Sequence, residues 1–297
     1  MSMGMMTRRG FTQAFPSAAV LAVATPVFAQ PHQAWSSKLD AAFRQIERDS
    51  GGRLGVFVLD TQSGLHAGCR QNERFPMCST FKLVLAAAVL KRVDQGKETL
   101  DRRIHIAATD IISNSPATEK HVGDTGMTLA ELCEATTTLS DNAAANLILA
   151  TLGGPQGMTA FARSIGDKVL RLDRFETAMS DARPGDKRDT TSPQVMTETI
   201  QKLVLGDVLS EASKTQLIAW LVGNKTGDTR LRAGVPKDWR VGDKTGTGGY
   251  GTTNDIGLFW PPHRKPIIVS AYLTGSKATS DERNATMAAV ARAIATA

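Results

Sequence analysis

Segments that alternate apolar and polar residues lie near the two ends of this chain, and helical periodicity fills the middle. That arrangement constrains the fold more than any other feature. Arg53 to Asp60 alternates and reads as a strand, Thr61-Gln62-Ser63-Gly64 is a turn, and Leu65 to Cys69 starts a returning strand. Strand signals come back only late: Arg240 to Thr247 and Asp255 to Trp260 read as a hairpin, and Ile267 to Thr274 as a third, more apolar strand. One sheet drawing strands from both termini accounts for this order, and hairpin connections make it antiparallel. The expected fold class is α+β and two-lobed. An antiparallel sheet of about five strands is flanked by helices and joined to an all-helical lobe. The α/β lobe is expected over about 30–70 and 220–297 and the helical lobe over about 71–219, with an active site in the cleft between them.

The helices are placed by their caps and periodicity. Ser37 can cap a first helix with Leu39, Phe43 and Ile46 on its apolar face, stopped by Gly51-Gly52. Phe81 to Val93 is apolar nearly all round and predicts a buried helix. Thr128-Leu129-Ala130-Glu131 is a capping box, and Ala143 to Leu152 is helical up to Gly153-Gly154-Pro155. Ser192-Pro193 sets a cap and an N1 proline before Met196, Ile200 and Leu203. Ser280-Asp281-Glu282 caps a terminal helix with Met287, Val290 and Ile294 inward.

Residues 1–29 read as an export signal of twin-arginine type. Thr7-Arg8-Arg9-Gly10-Phe11 precedes a largely apolar run from Phe15 to Phe28, and Val27-Phe28-Ala29 offers small residues for cleavage. Pro16 and Pro26 break the run, so it would span a bilayer poorly and no stable membrane anchor is expected. The mature chain is expected from about Gln30 to residue 297, in a bacterial periplasm. A net charge of +6 suits anionic small molecules, but no basic run with interleaved aromatics indicates nucleic-acid binding. The chain has three cysteines, Cys69, Cys78 and Cys133, without a C-x-x-C pair. Its five histidines show no H-E-x-x-H spacing, and His66, His105, His121 and His263 read as surface or turn residues. No metal or cofactor is expected, and no partner stripe argues against a monomer.

Three short motifs carry chemistry. Ser79-Thr80-Phe81-Lys82 sets a serine at the head of the buried helix with a lysine one turn later on the same face. A helix N-terminus suits a developing oxyanion, and a lysine buried beside the serine can have its pKa lowered and move a proton. Alone the pair reads equally as a cap and a snorkelling lysine, since S-x-x-K should arise by chance about once in such a chain. Ser140-Asp141-Asn142 sits at a loop-to-helix boundary, where all three residue types cap well. A functional reading makes Ser140 a proton relay and Asn142 an amide bonding both substrate and Lys82. Lys-Thr-Gly occurs twice. Lys225-Thr226-Gly227 follows a helix and reads as an exposed turn. Lys244-Thr245-Gly246 lies in the alternating strand, where Lys244 and Thr245 can face a carboxylate and the N–H of Thr247 a carbonyl.

S-x-x-K, S-D-N and K-T-G in this order form the signature of class A β-lactamases and penicillin-binding proteins. The chain resembles the class A serine β-lactamases over nearly its whole mature length, from about Arg53 onward. Arg74 to Lys82, Arg188-Asp189-Thr190-Thr191, Gly242 to Gly246 and Asp281-Glu282-Arg283-Asn284 carry the likeness further. Arg171-Leu172-Asp173-Arg174-Phe175-Glu176 resembles the family's omega loop, which penicillin-binding proteins lack. The resemblance implies hydrolysis of the β-lactam amide of penicillins and cephalosporins through an acyl-serine on Ser79. In it Lys82 or Glu176 takes the serine proton, Ser140 protonates the leaving nitrogen, and Glu176 activates the hydrolytic water. The backbone N–H groups of Ser79 and Thr247 form the oxyanion hole. Lys244, Thr245, Thr247 and Arg230 hold the substrate carboxylate, and Arg174 pairs with Asp189 at the loop's neck.

The chain departs from the family directly after Glu176. Thr177-Ala178-Met179-Ser180 replaces the usual Pro-Glu-Leu-Asn, so Ser180 stands for the asparagine that helps hold the water; deacylation is the step in doubt. Thr253 stands where some relatives carry a carboxylate-binding arginine, and the resemblance implies that Arg230 substitutes. Asn114 falls where the family often has an aromatic at the mouth of the cleft, or is simply a turn residue. The family's cysteine partners are absent: Gly248 and Gly249 face the Cys78 position and Ala86 the Cys133 position. Both thiols therefore read as small apolar residues. The alternatives are a penicillin-binding or DD-peptidase-like protein that deacylates slowly, a non-catalytic β-lactam sensor, and a basic nucleic-acid binder.

Overall fold

The computed structural model describes residues 31–297, together with Met1, Ser2 and Gly4; the export-signal reading of 1–29 lies otherwise outside the described residues. The helices are α1 (Pro31–Ser50), α2 (Phe81–Asp94), α3 (Leu129–Thr138), α4 (Asn142–Thr151), α5 (Gly154–Ser164), α6 (Pro193–Val204), α7 (Glu211–Val222) and α8 (Ser280–Ala295). The main strands are β1 (Arg53–Asp60), β2 (His66–Cys69), β3 (Arg240–Gly248), β4 (Thr252–Trp260) and β5 (Ile267–Thr274). They form one antiparallel sheet in the order β2-β1-β5-β4-β3. The α+β class and the sheet from both termini are therefore as expected.

The apolar character of β5 follows from its central place. Ile267, Val269, Ala271 and Leu273 face a core shared with Leu39 and Phe43 of α1 and Met287, Val290 and Ile294 of α8. Ile268 and Tyr272, one residue out of phase, face the second core with the middle helices. Side chains of both parities are covered, so alternation is lost. Helix α6 lies on that second face, where Thr197 Oγ1 donates to Ser270 Oγ at 2.9 Å. Helix α2 runs through the second core with Phe81 to Leu90 buried, which explains its all-round apolar sequence.

The differences from expectation lie at element ends. Helix α1 already runs through Ser37, which is interior and caps nothing. Asp141 caps α4 by accepting from the Ala144 N–H at 2.9 Å, so Asn142 is helical. Gly153-Gly154-Pro155 both stops α4 and opens a helix the sequence reading did not separate. Gly153 and Gly154 take positive φ of 86° and 80°, and the proline occupies the first turn of α5. Ser192 precedes α6 without a side-chain cap bond. Thr279, one residue before Ser280, makes the capping box with Glu282. The hairpin strand β4 starts at Thr252 rather than Asp255, pairing Thr252 with Gly248 and Thr253 with Thr247. Among the described residues, no helix is long and apolar enough to cross a membrane.

Candidate active site

The nucleophile turn is a single 3-10 turn, Cys78–Thr80, that feeds directly into α2. Cys78 holds a positive φ of 45° there, and Lys82 follows as the second residue of α2. Strand β3, at the sheet edge, lies against this turn. Gly246 allows the approach, since a Cβ there would come within 2.8 Å of Met77 O and 3.2 Å of Thr80 N. The glycine of the second Lys-Thr-Gly is thus what lets the strand carrying Lys244 and Thr245 reach the serine. Gly248 plays the same part toward the omega loop, where an added Cβ would meet Cys78 Sγ and Ser180 O, each at 2.5 Å.

A cleft of about 410 Å³ opens between β3, the 139–142 segment and the omega loop. Ser79, Ser140, Asn142, Glu176, Ser180, Arg230, Thr245 and Thr247 all border it. Lys82 is fully buried at its floor. Its Nζ donates to Asn142 Oδ1 at 2.6 Å and to the Ser140 carbonyl at 2.8 Å, and lies 3.4 Å from Ser140 Oγ and 3.2 Å from Glu176 Oε1. Burial pulls the Lys82 ammonium below its ordinary pKa, against the opposing pull of the Glu176 carboxylate. Ser79 Oγ lies 3.2 Å from the same Oε1. Serine, lysine and carboxylate therefore meet at one oxygen.

Ser140 stands between two cations. Lys244 Nζ donates to its Oγ at 3.1 Å from one side and Lys82 approaches from the other. With ammonium groups against its lone pairs, the Ser140 hydroxyl proton is left to point into the cleft. Lys244 is itself fully buried, and burial, with repulsion from Lys82 next, brings its pKa down to about 7. Asn114, at a positive φ of 59°, donates from Nδ2 to the Ser140 carbonyl at 2.9 Å and accepts from the Asn142 N–H. It is both a turn residue and part of the cleft wall. Asn142 spends one Nδ2 proton on Ser113 O at 2.8 Å and has the other left for the cleft that it borders.

Arg230 is buried and anchored from three sides. Its Nε donates to Asn284 Oδ1 at 2.9 Å, Nη1 to the Gly246 and Asn254 carbonyls, and Nη2 to Thr247 Oγ1 at 2.7 Å. Thr253 is occupied by Arg283, whose Nε donates to its Oγ1 at 3.0 Å. The omega loop is pinned as the pairing of Arg174 with Asp189 suggests. Nε donates to Asp189 Oδ2 at 2.6 Å, and Asp189 Oδ1 also accepts the N–H groups of Asp173 and Arg174. Within the loop the Glu176-Thr177 peptide is cis, and Ser180 Oγ lies 3.2 Å from both Glu176 Oε2 and Met179 Sδ.

Two residues of the site, one behind Glu176 and one at the cleft wall, escaped the sequence reading. Asn146, one turn after Asn142 on α4, clamps the Glu176 backbone: Oδ1 accepts its N–H and Nδ2 donates to its carbonyl, each at 2.9 Å. The i, i+4 spacing from Asn142 was the available signal. Thr226 corrects the reading of Lys225-Thr226-Gly227 as an exposed turn. Lys225 is exposed, but Gly227 is buried and Thr226 borders the cleft with its hydroxyl on that of Thr245. Cys69, Cys78 and Cys133 are free and buried, and burial pushes all three thiols up, Cys69 to about 11. Inert small side chains are the result.

A serine hydroxyl and a buried lysine meeting at one carboxylate oxygen, beside a cation-lined wall, define a serine hydrolase of the acyl-transfer class. Residues 38–297 match the β-lactamase enzyme family. The chain is 47% identical to β-lactamase OXY-2 of Klebsiella oxytoca over 93% of this chain and 96% of that one. It is 50% identical to the carbapenem-hydrolyzing β-lactamase KPC of the same organism over 84% and 85%. Among solved structures, an ancestral class A β-lactamase superposes with a TM-score of 0.85 at 62% identity, covering 86% of this chain and 98% of that one. A putative class A β-lactamase of Rhodopseudomonas palustris gives 0.85 at 58% identity, covering 87% and 98%. The chain belongs to the class A β-lactamase family.

Proposed function

We propose that the chain hydrolyses the β-lactam amide of penicillins and cephalosporins through an acyl-serine intermediate on Ser79. The observation that carries the mechanism is the meeting of Ser79 Oγ and Lys82 Nζ at Glu176 Oε1, both at 3.2 Å. Ser79 Oγ attacks the lactam carbonyl, and its proton passes to the Lys82–Glu176 pair. The oxyanion is held by the backbone N–H groups of Ser79 and Thr247, each donor contributing about 3–4 kcal/mol. As the C–N bond breaks, Ser140 gives its proton to the ring nitrogen and regains one from Lys82. Lys244, Thr245, Thr247 and Arg230 bind the substrate carboxylate. Asn142 orients Lys82 and meets the substrate side chain. Glu176 then takes a proton from water, which attacks the ester and releases Ser79; Ser180 holds the Glu176 carboxylate for that step. Arg174 and Asp189 keep the loop in register.

The enzyme proper spans 30–297, with an α/β lobe over about 30–70 and 220–297 and a helical lobe over about 71–219. Residues 1–29 direct export by the twin-arginine route to a bacterial periplasm, where the enzyme acts as a monomer without cofactor. Pre-steady-state hydrolysis of a chromogenic cephalosporin tests the mechanism. Sustained turnover lost in Ser79→Ala, with acyl-enzyme accumulating by mass in Glu176→Gln, is the expected result. A one-equivalent burst that stalls in the unaltered protein would instead give the DD-peptidase-like reading, in which Ser180 does not replace the asparagine that helps hold the water.

A further inference from the structure

The two copies of Lys-Thr-Gly meet in the fold. Thr226 and Thr245 border the same end of the cleft with their hydroxyls in contact. The approach is built into the backbone. Gly227 lies against the buried Asp243 carboxylate, where a Cβ would come within 1.9 Å of Oδ2. The Lys225 N–H donates to Thr138 O at 2.9 Å.

Hydrogen-bond accounting ties the polarity of this contact to where the Thr226 hydroxyl sends its one proton. Asn224 is buried, and its Nδ2 donates to Asp243 Oδ2 at 2.7 Å, so its Oδ1 faces Thr226. That oxygen accepts both the Thr226 N–H at 3.0 Å and the Thr226 hydroxyl at 2.8 Å. A hydroxyl has one proton to give. With the Thr226 proton on Asn224, Thr245 is the donor between the two threonines. Thr245 then turns only lone pairs to the cleft, the wrong polarity for an anion.

We propose that Thr226 is a positioning residue for the carboxylate end of the cleft, reversing the polarity of Thr245 when an anionic substrate binds. Thr245 turns its proton to the substrate carboxylate, and Thr226 turns its own from Asn224 to Thr245 Oγ1. Asn224 Oδ1 keeps the Thr226 N–H. Two hydroxyl rotations suffice, and no proton leaves its oxygen. The ligand is a small molecule with a carboxylate beside its scissile amide, so the inference rests on the β-lactam reading.

Steady-state kinetics of Thr226→Val and Thr226→Ser, on a penicillin and on its methyl ester, test it. Thr226→Val should raise KM for the free acid roughly three- to tenfold while kcat stays within about twofold, the size of one net hydrogen bond. Thr226→Ser should restore KM, the ester should not respond, and Thr226→Val should add nothing in a Thr245→Ala background. An unchanged KM for the acid, equal effects on acid and ester, or failure of serine to restore KM would overturn the proposal. Calorimetric Kd for the acid in a Ser79→Ala background reads the same contact without turnover. A protein that hydrolyses nothing would refute the hydrolase reading, and Kd would still decide the role of Thr226.

Discussion

Lys244 couples the chemistry of the cleft to pH. Its ammonium is fully buried, with a second ammonium, that of Lys82, behind Ser140, and burial first and that repulsion next bring its pKa to about 7. Below that value it is charged and attracts a substrate carboxylate; above it the charge is lost and with it the attraction. A group whose pKa is lowered in the free enzyme loses its proton early on the alkaline side, so kcat/KM for a carboxylate-bearing substrate should fall from about pH 7 to about pH 9. A bound carboxylate restores the charge, so kcat should fall less than kcat/KM. A kcat/KM profile flat across that range would show that Lys244 keeps its proton. Asn146 gives a second prediction at this scale. Removing its side chain frees the Glu176 N–H and carbonyl, two hydrogen bonds of about 0.5–1.5 kcal/mol each. Asn146→Ala should therefore slow deacylation more than acylation, visible as a burst ahead of a slower steady state. Equal slowing of both steps would place its effect elsewhere than on Glu176.

Among the elements, the omega loop is a short excursion held closed at its neck, and Asp189 is the neck's central acceptor. It is buried at a positive φ of 56°, a conformation that aspartate and asparagine tolerate better than most residues. Asp189→Ala would leave Arg174 facing only Asp181 and Asp186 and would free two loop N–H groups. Breaking such a pair costs about 3–5 kcal/mol when it is fully buried, and the partial exposure of Arg174 puts the loss near the lower end. A urea midpoint unchanged by Asp189→Ala would deny the pair this role. The pair was legible in the sequence because the two segments that carry it, Arg171 to Glu176 and Arg188 to Thr191, resemble those of the family. The same holds for S-x-x-K, S-D-N and the second K-T-G: each is a local pattern in a recognisable setting. Contacts that depend on chain segments meeting in space were not legible. Nothing local says that Thr226 lies on Thr245, or that Asn284 anchors Arg230. Element interiors were read well and their ends were not. Ser37 and Ser280 are sound caps by residue type, and packing of α1 beyond Ser37 and the better box of Thr279 with Glu282 overrode them.

At the scale of the molecule, the cleft depends on a sheet whose strands come from distant parts of the chain. Arg53 pairs with Thr274 and Asp60 with Ile267, so β1 and β5 bring the two ends of the chain together across everything that lies between them in sequence. That joint is covered on the side away from the serine by α1 and α8, where Phe43 is wholly buried among Leu54, Val56, Val269 and Met287. The cleft lies on the other side, where β3 meets the nucleophile turn. Phe43 and the catalytic groups thus share the sheet but no contact, and damage to one should reach the other only through global unfolding. Phe43→Ala removes a large ring from a closed core, a change that costs about 3–5 kcal/mol. The expected outcome is a clear drop in the urea midpoint and in Tm, with kcat per active site unchanged at a temperature where the variant is fully folded. Active-site titration by the acylation burst supplies the count of competent molecules. A lowered kcat in the folded variant would mean that the α1–α8 layer also sets the position of β3, and that the sheet transmits strain from one face to the other.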